Sequence, residues 1–444
     1  MSNIQDFKIE NGRLISYDGE NPEVVIPSNV TSIGGFAFQG NTIITHIEIP
    51  NSVTSIYDNV FRNCTNLTHI KIPNSVTSIG DCAFRNCTSL THIEIPNSVI
   101  SIGECAFQSC TSLTRIEIPS SVTSIEESAF EFCTNLTSIE IPNSVTSIGE
   151  SAFSSCSALS SIKIPNGITK IKKATFSLCT NLKHVEIPDS ISEIALMAFS
   201  DCKALTSIEI PNSVISIGDF AFSSCSSLTS ITIPDSVKKI NAYAFSGCSI
   251  LTNFEIPDSI TEISECMFTD CTSLTSIEIP SSVTSIGEHA FSGCSSLAWI
   301  KIPNSVTSIG RSAFDSCSSL MDVELPSNIT KIAYATFRKC ISLTNIKIPS
   351  GVIEIDGEVF SYCDNLKSIE IPSSVTEIGH RAFYCCACLK SIAIPSSVIE
   401  FGAEVFNGCL NLTVTTPKDS FAAEVIELYK TKYQMWLAIK VNLT

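Results

Sequence analysis

The chain has few of the features that mark nucleic-acid-binding or membrane-spanning proteins. It has 27 basic side chains against 44 acidic ones, a formal charge of -17, and no basic cluster. Such a surface disfavours nucleic-acid phosphates and anionic lipid as partners. No apolar run approaches the ~20 residues that a membrane span needs, and none follows a basic segment at the start of the chain. The sequence therefore predicts no nucleic-acid partner, no membrane span and no signal peptide.

Motifs for enzymatic chemistry are equally scarce. The chain has only six histidines, and no Walker-type loop, HExxH or GxSxG pattern occurs. Aspartates and serines are abundant, but they recur at a fixed period and do not converge on one pocket, as a catalytic site requires. We therefore expect a protein that is not an enzyme and that has no cofactor or metal.

What the chain does have is a strict repeat. An Ile-Pro or Leu-Pro pair places proline every 23 residues, at 17 positions from Pro27 to Pro395, without insertion or deletion. Such a period is typical of a solenoid, in which each repeat closes one turn and stacks on its neighbours. We expect three segments: an N-terminal β-hairpin cap at 1–26, a solenoid of about 17 repeats at 27–413 and a C-terminal helical cap at 414–444.

The repeat that begins at Pro73 shows the expected local structure. Its end alternates, with Ile93 and Ile95 inward and His92 and Glu94 outward, which predicts a short strand. Equivalent strands would form a parallel sheet with ~4.8 Å between strands. The segment 80–87 reads as a short helix or helical turn, whose first turn the acidic residue after the glycine would stabilise. The inward set is Val76, Ile79, Ala83, Phe84, Cys87, Leu90, Ile93 and Ile95.

Cysteine follows the same period. Sixteen of the 21 cysteines lie fourteen residues after proline, where the first repeat has asparagine instead. A disulfide or a thiolate metal site would not tolerate that exchange, so we expect buried thiols that behave as small hydrophobic groups. Many free thiols favour a reducing compartment, hence the cytoplasm. The column begins Asn41, Cys64, Cys87, Cys110, Cys133 and Cys156.

Both ends depart from the repeat. Asn11 and Gly12 form a two-residue turn signal between alternating segments, which predicts the hairpin. After Cys409 the last strand is one residue short, and the segment from Asp419 to about Leu437 has helical periodicity. Asp419 or Ser420 could be its N-cap. We expect this helix to close the solenoid, with docking of a partner as the alternative.

The pattern LxxIxIPxxVxxIxxxAFxxC resembles the BspA-like leucine-rich repeats, the treponemal class of that superfamily. The resemblance covers about Val24 to Thr413. It implies an α/β solenoid, a right-handed superhelix with a parallel β-sheet on the concave face and short helices or turns on the convex face. It also implies adhesin-like binding of host or matrix proteins, and a cell-surface location as the alternative to the cytoplasm.

Two outward columns of each strand carry the residues that differ between repeats. The column 21 residues after proline has ten glutamates and four lysines, so the concave face is predicted to be acidic. We expect a protein partner, basic in character, bound by a monomer, and Trp299 is the best candidate anchor because exposed tryptophans often dominate interfaces. The candidate residues are His46, Glu48, His69, Lys71, His92, Glu94, Arg115, Glu117, His184, Glu186, Trp299 and Lys301.

Alternatives remain open at this stage. The run of His46, His69 and His92 could be a solvated surface row, a protein contact whose charge changes near pH 6.5, or a metal site shared with Glu48 and Glu94. The protein could instead be an intracellular structural or regulatory scaffold. Carbohydrate binding would need aromatic platforms or paired carboxylates, of which Trp299 is the one candidate platform.

Overall fold

The computed structural model describes residues 4–431 and 439–444. The chain divides into two compact units, Met1–Leu228 and Thr229–Thr444. In each unit the chain winds as a solenoid of parallel strands, about 18 turns in all, and each 23-residue repeat is one turn. Helix is scarce: the described residues contain one α-helix, Phe421–Thr431, and one 3-10 helix, Ile4–Asp6.

The predicted strands are present and are three residues long. Their middle residue is inward and the flanking two are exposed, in nearly every repeat, as the alternation predicted. Each pairs in parallel, on at least one side, with a strand 23 residues away, as His46 does with His69, and the following proline, which has no N–H, ends the ladder. They are Glu23–Val25, His46–Glu48, His69–Lys71, His92–Glu94, Arg115–Glu117, Ser138–Glu140, Ser161–Lys163, His184–Glu186 and Ser207–Glu209, then Ser230–Thr232, Trp299–Lys301, Asp322–Glu324, Ser368–Glu370 and Ser391–Ala393.

A second parallel ladder was not predicted. It consists of two-residue strands at the Ser-Ile pair of each repeat, which is too short for alternation to reveal. The isoleucine is inward, and Ile79 lies beside Ile102 of the next turn. These strands are Ser32–Ile33, Ser78–Ile79, Ser101–Ile102, Ser124–Ile125, Ser147–Ile148, Lys170–Ile171, Glu193–Ile194 and Ser216–Ile217, then Lys239–Ile240, Glu262–Ile263, Ser285–Ile286, Ser308–Ile309, Lys331–Ile332, Glu354–Ile355, Glu377–Ile378 and Glu400–Phe401.

The helix predicted for 80–87 is wrong, and the alternative of turns is correct. Two residues of each turn, nine and thirteen after proline, have left-handed backbone, such as Cys82 with φ 55°. This conformation directs the N–H along the solenoid, where it donates to Glu104 O of the next turn at 2.7 Å. Phe84 N–H likewise donates to Ala106 O at 2.8 Å. An α-helix would satisfy these groups internally, so here the turns form a third ladder.

The acidic residue of this segment therefore does not stabilise the first turn of a helix, as was predicted, and has another role. Asp81 Oδ1 accepts the backbone N–H of Glu104 at 2.8 Å, and Asp58 Oδ1 accepts that of Asp81 at 2.9 Å. The preceding glycine permits close stacking, since a Cβ added at Gly103 would lie 2.7 Å from the carbonyl carbon of Gly80. The adjacent glycine and aspartate of these turns thus serve contacts between turns.

One phenylalanine per turn is stacked in the interior. Within each unit, successive ring centroids lie 5.2–6.0 Å apart and the ring planes are 2–23° from parallel. Such offset stacks combine a large buried apolar area with favourable ring geometry. At the N-terminal end the ring of Tyr17 lies 5.5 Å from that of Phe38, so the hairpin extends the stack by one aromatic.

The hairpin pairs Phe7–Glu10 with Arg13–Tyr17 in antiparallel fashion. The turn residues Asn11 and Gly12 have φ of 52° and 78°, as their type predicts. The second hairpin strand then pairs in parallel with Ser32–Ile33. Arg13–Tyr17 thereby covers the open end of the ladder of two-residue strands. Its own outer edge is paired with Phe7–Glu10, so it is not left exposed.

The C-terminal end is built from a short strand, a helix and a further strand. Thr413–Thr416 pairs with Ser391–Ala393 one residue early, at an offset of 22, as the sequence predicted. Ser420 is the N-cap of Phe421–Thr431, because its Oγ accepts the Ala423 N–H at 3.2 Å. The rest of the predicted helix, 432–438, lies outside the described residues. Lys440–Leu443 then pairs in parallel with Thr413–Thr416, which was not predicted.

The aromatic stack gives a first prediction. Phe153→Ala should lower the free energy of unfolding by about 3–5 kcal/mol, because it leaves a cavity between two rings. Phe132→Ala is the matched control: Phe132 is 44% exposed and has φ 60°, so its truncation should cost less than ~1 kcal/mol. Guanidinium unfolding followed by circular dichroism measures both. If both variants lost the same unfolding free energy, the conclusion that the phenylalanine stack stabilises the fold would be contradicted.

Candidate protein-binding face

The candidate residues all lie on what we call the strand face: the first and third residues of the three-residue strands, whose side chains point outward. All twelve are exposed. Ten lie in the first unit, stacked in register, so that the two columns run along neighbouring turns. They are His46, Glu48, His69, Lys71, His92, Glu94, Arg115, Glu117, His184 and Glu186; Trp299 and Lys301 lie in the second unit.

The histidine run forms a surface row. The rings of His46 and His69 lie 5.8 Å apart, tilted by 45°. His92 Nε2 lies 3.9 Å from Glu94 Oε1 on its own strand. Within residues 4–431 and 439–444, no group of three or more His, Cys, Asp or Glu side chains is placed to hold a metal ion. The metal alternative thus gains no support from the geometry.

Acidic side chains stack directly on one another in the first unit. Glu94 pairs with Glu117, and Glu117 pairs with Glu140, in the parallel register. Like charges placed opposite each other on a sheet destabilise it. Cations offset part of this repulsion, since Arg115 Nη2 lies 2.5 Å from Glu117 Oε1 and Lys71 lies beside Glu94 in the register. We call Glu94, Glu117 and Glu140 the glutamate stack.

Elsewhere on the strand face, some glutamates form ion pairs with lysines on neighbouring turns. Lys163 Nζ lies 3.0 Å from Glu186 Oε2 in the first unit, and Lys301 Nζ lies 4.0 Å from Glu324 Oε2 in the second. These pairs are exposed, so each contributes at most ~1 kcal/mol to stability. The glutamate stack is therefore more strongly charged than the face around these pairs.

The strand face of the second unit is interrupted by two grooves that sequence reasoning missed. At 253–255, 276–278 and 345–347 regular strands are replaced by single bridges, such as Glu255 with Glu278. A groove of about 520 Å³ lies at the first two positions and one of about 700 Å³ at the third. A sequence signal exists for the first: Phe254 replaces the usual isoleucine, and its ring packs 4.9 Å from that of Phe245.

The cysteine column lies in the interior. Each thiol donates to the carbonyl of a stacked phenylalanine one turn back, as Cys110 Sγ does to Phe84 O at 3.1 Å. That carbonyl also accepts the N–H of Cys87 at 3.1 Å, so both of its lone pairs are used. Asn41 instead accepts the N–H groups of Ile43 and Ile44, at 2.9 and 3.0 Å. Buried in the column are Cys64, Cys87, Cys110, Cys133 and Cys156.

Burial makes these thiols unreactive. Desolvation raises the pKa of Cys64 and of Cys179 to about 12, against an ordinary value of 9.0. The pKa of Cys133 is likewise raised well above that value, by burial and then by the neighbouring Cys110. The thiolate is the nucleophile and the metal ligand, so these three thiols offer neither at neutral pH.

The thiols give a second prediction. Above pH ~8.5 the unfolded thiols ionise and the folded ones stay protonated, so stability falls with rising pH until the folded pKa is reached. Between pH 8 and pH 10 the free energy of unfolding should fall, and Cys133→Ser should make this fall smaller by about 2 kcal/mol. Urea unfolding at the two pH values tests it. The exposed Cys388 is the control, since Cys388→Ser should leave the loss unchanged; equal effects would contradict the explanation.

A second acidic row lies on the two-residue strands of the second unit. Glu377 pairs directly with Glu354 on one side and Glu400 on the other. Burial, and then those two carboxylates, raise the pKa of Glu377. Lys331 Nζ lies 2.5 Å from Glu354 Oε1 and so offsets the negative charge at one end of the row only.

This row gives a third prediction. Because the raised pKa favours the neutral form in the fold, Glu377 costs stability once the pH exceeds its pKa. Glu377→Gln should raise the unfolding free energy by roughly 0.5 kcal/mol at pH 7 and less at pH 4. Thermal unfolding at both pH values measures it. Glu262→Gln, opposite Ser285, should give no gain, and a gain of equal size in both variants would refute the repulsion.

Comparison with known proteins places this fold in a family. Residues 16–104, 77–206, 193–298 and 284–413 match the BspA type leucine rich repeat region. A solved leucine-rich repeat protein from Bacteroides ovatus is 30% identical, with 100% of this chain and 97% of that chain covered and a TM-score of 0.51. A leucine rich cell surface protein from Faecalibacterium prausnitzii is 32% identical, covering 90% and 92%, with a TM-score of 0.48. No curated protein matches.

The chain therefore belongs to the BspA-type leucine-rich repeat family. Proteins of this family and fold are typically non-enzymatic, and membership suggests a protein-binding or adhesin-like role. Within residues 4–431 and 439–444, no helix has the length and apolar character needed to cross a bilayer.

Proposed function

We propose that the protein binds a basic protein partner, without catalysis, through the strand face. The observation that carries this proposal is the glutamate stack, in which Glu94, Glu117 and Glu140 lie in direct register. Because such an arrangement lowers stability, folding alone gives no reason for it. A cationic partner would relieve the repulsion on binding and would be steered to the face by its field.

The other polar columns support this proposal because their side chains bond neighbouring turns. Ser121 Oγ donates to Val99 O at 2.6 Å, and Thr123 Oγ1 donates to Ile100 O at 3.4 Å. Threonine before the strand does the same, as Thr137 Oγ1 donates to Thr114 O at 3.2 Å. The strand face differs, since most of its side chains project into solvent and change from turn to turn.

The histidine row extends the proposed surface toward the N-terminus. His46, His69 and His92 lie in the column beside Glu48 and Glu94. The partner would contact these exposed rings together with the glutamate stack.

A charge-removal experiment gives the fourth prediction. The triple variant Glu94→Gln, Glu117→Gln, Glu140→Gln should lose at least ten-fold in affinity for immobilised poly-lysine at low salt, because three stacked carboxylates are removed. Surface plasmon resonance measures the affinity. The wild-type interaction should weaken steeply with added salt, as expected for exposed charges.

The chain offers a matched control on the same three turns. Glu104, Glu127 and Glu150 are exposed but lie on the turn segment, away from the three-residue strands. Changing these three to glutamine alters the net charge equally and should reduce affinity less than three-fold. Equal losses in the two triple variants would mean that net charge alone drives binding, and would overturn the proposed face.

A further inference from the structure

An apolar patch interrupts the strand face of the second unit. Trp299 is 54% exposed and Met321 is 55% exposed. Met321 directly precedes Asp322, the residue that pairs with Trp299, and Met321 N–H donates to Ala298 O at 2.9 Å. The two side chains therefore belong to adjacent turns. Most repeats have Thr, Ser or Lys where Ala298 and Met321 stand, so the patch is a local departure from the repeat.

The patch lies between the two grooves. The first groove involves the turns on its N-terminal side and is lined by Glu255, Asp258, Glu278, Lys301 and two prolines. The second involves the turns on its C-terminal side and is lined in part by Asp322, Glu324, Lys347 and Glu370. An apolar centre with a charged rim is the usual anatomy of a protein interface.

The carboxylates of the first groove form no ion pair in the part of the chain that the structure describes, although Lys301 is bridged to Glu278 in the backbone register. Its lysine, Lys301, approaches Glu324 at 4.0 Å on the opposite side. Among the residues that the structure describes, no ion pair joins a cation to Glu255, Asp258 or Glu278. Glu255 and Glu278 are bridged directly to each other in the backbone register, so two like charges share one wall of the groove.

A bulky aromatic side chain packs beneath the first groove. Phe254 points inward, where its ring lies 4.9 Å from that of Phe245 and 4.8 Å from that of Phe268. Those two stacked rings are 6.0 Å apart, compared with 5.2–5.9 Å at the other steps within the two units. A bulky side chain thus lies at the step where regular strand pairing is lost and the groove opens.

We propose that this patch and its first groove are a docking site for an extended polypeptide segment. An apolar side chain of the segment would cover Trp299 and Met321, and an arginine or lysine would enter the groove between Glu255 and Glu278. The proposal rests on the proposed function, because it assigns a partner chemistry to one part of the strand face. The basic residue of the segment follows from charge complementarity with Glu255 and Glu278. Its apolar residue follows from the exposed side chain of Trp299.

Spacing determines the form of the segment. Turns are ~4.8 Å apart, so the groove lies one to two turns, or ~5–10 Å, from the patch. An extended chain advances ~3.3 Å per residue, which places the basic residue two or three positions from the apolar one. The probe acetyl-Arg-Gly-Leu-Gly-Arg-amide meets this spacing in either chain direction.

The test uses Trp299 as its own reporter. The chain has two tryptophans, so Trp436→Phe leaves Trp299 as the sole tryptophan of the full-length protein. Titration with the Arg-Gly-Leu-Gly-Arg probe should shift the tryptophan emission and saturate. The same peptide with glutamate for arginine, or with glycine for leucine, should bind at least five-fold more weakly. Equal affinity for all three peptides would overturn the proposal.

Variants in the same background locate the site. Glu255→Gln with Glu278→Gln should weaken binding of the arginine probe at least five-fold, and Met321→Thr, which restores a residue common at this position, should weaken it about three-fold. Glu104→Gln with Glu127→Gln, which removes two exposed carboxylates from the turn segment, is the matched control and should have no effect. Unchanged affinity in the first two variants would refute the site; poly-lysine binding to the glutamate stack would then still test the proposed function separately.

Discussion

Hydrogen bonding between consecutive turns at a fixed offset of 23 residues is the constraint on which the structure depends. Three-residue strands, two-residue strands and turns each form a ladder, and most backbone N–H groups outside the local turns donate to a neighbouring turn. The interior follows from this register: one phenylalanine lies over the next, and each cysteine thiol reaches the carbonyl one turn back. The residue types whose side chains hydrogen-bond between turns are constrained by the same register. The residues of the strand face make few such bonds, so their types can differ from turn to turn.

The sequence was sufficient for several of the features that repeat. The period, the inward set, the three-residue strands and the exposure of Trp299 all follow from spacing and alternation. The turn segment was mispredicted because residue type does not report left-handed backbone there: Phe132 and Leu178 have φ of 60°. Bonds to the next turn evidently outweigh the local preference against that conformation. Lys440–Leu443 was missed because it pairs at a different offset, outside the repeat.

The candidate site could be predicted only in part. The charge of the outward columns is visible in the sequence, as is the register that brings Glu94, Glu117 and Glu140 together. The grooves are not, because they arise where strand pairing fails, and pairing is a property of several turns at once. Phe254 alone signals the first groove, and its effect depends on how its ring packs against those of Phe245 and Phe268.

The uniform register also determines how the chain can change in length. Removal of one residue would misalign the bonds between the shortened turn and its neighbours, whereas removal of a whole 23-residue repeat would give each donor an equivalent acceptor. Recombination between similar repeats can therefore lengthen or shorten such a protein by complete turns without leaving an orphaned polar group in the interior. What each event would alter is the order of charges along the strand face, so a change in length is at the same time a change in what the surface presents.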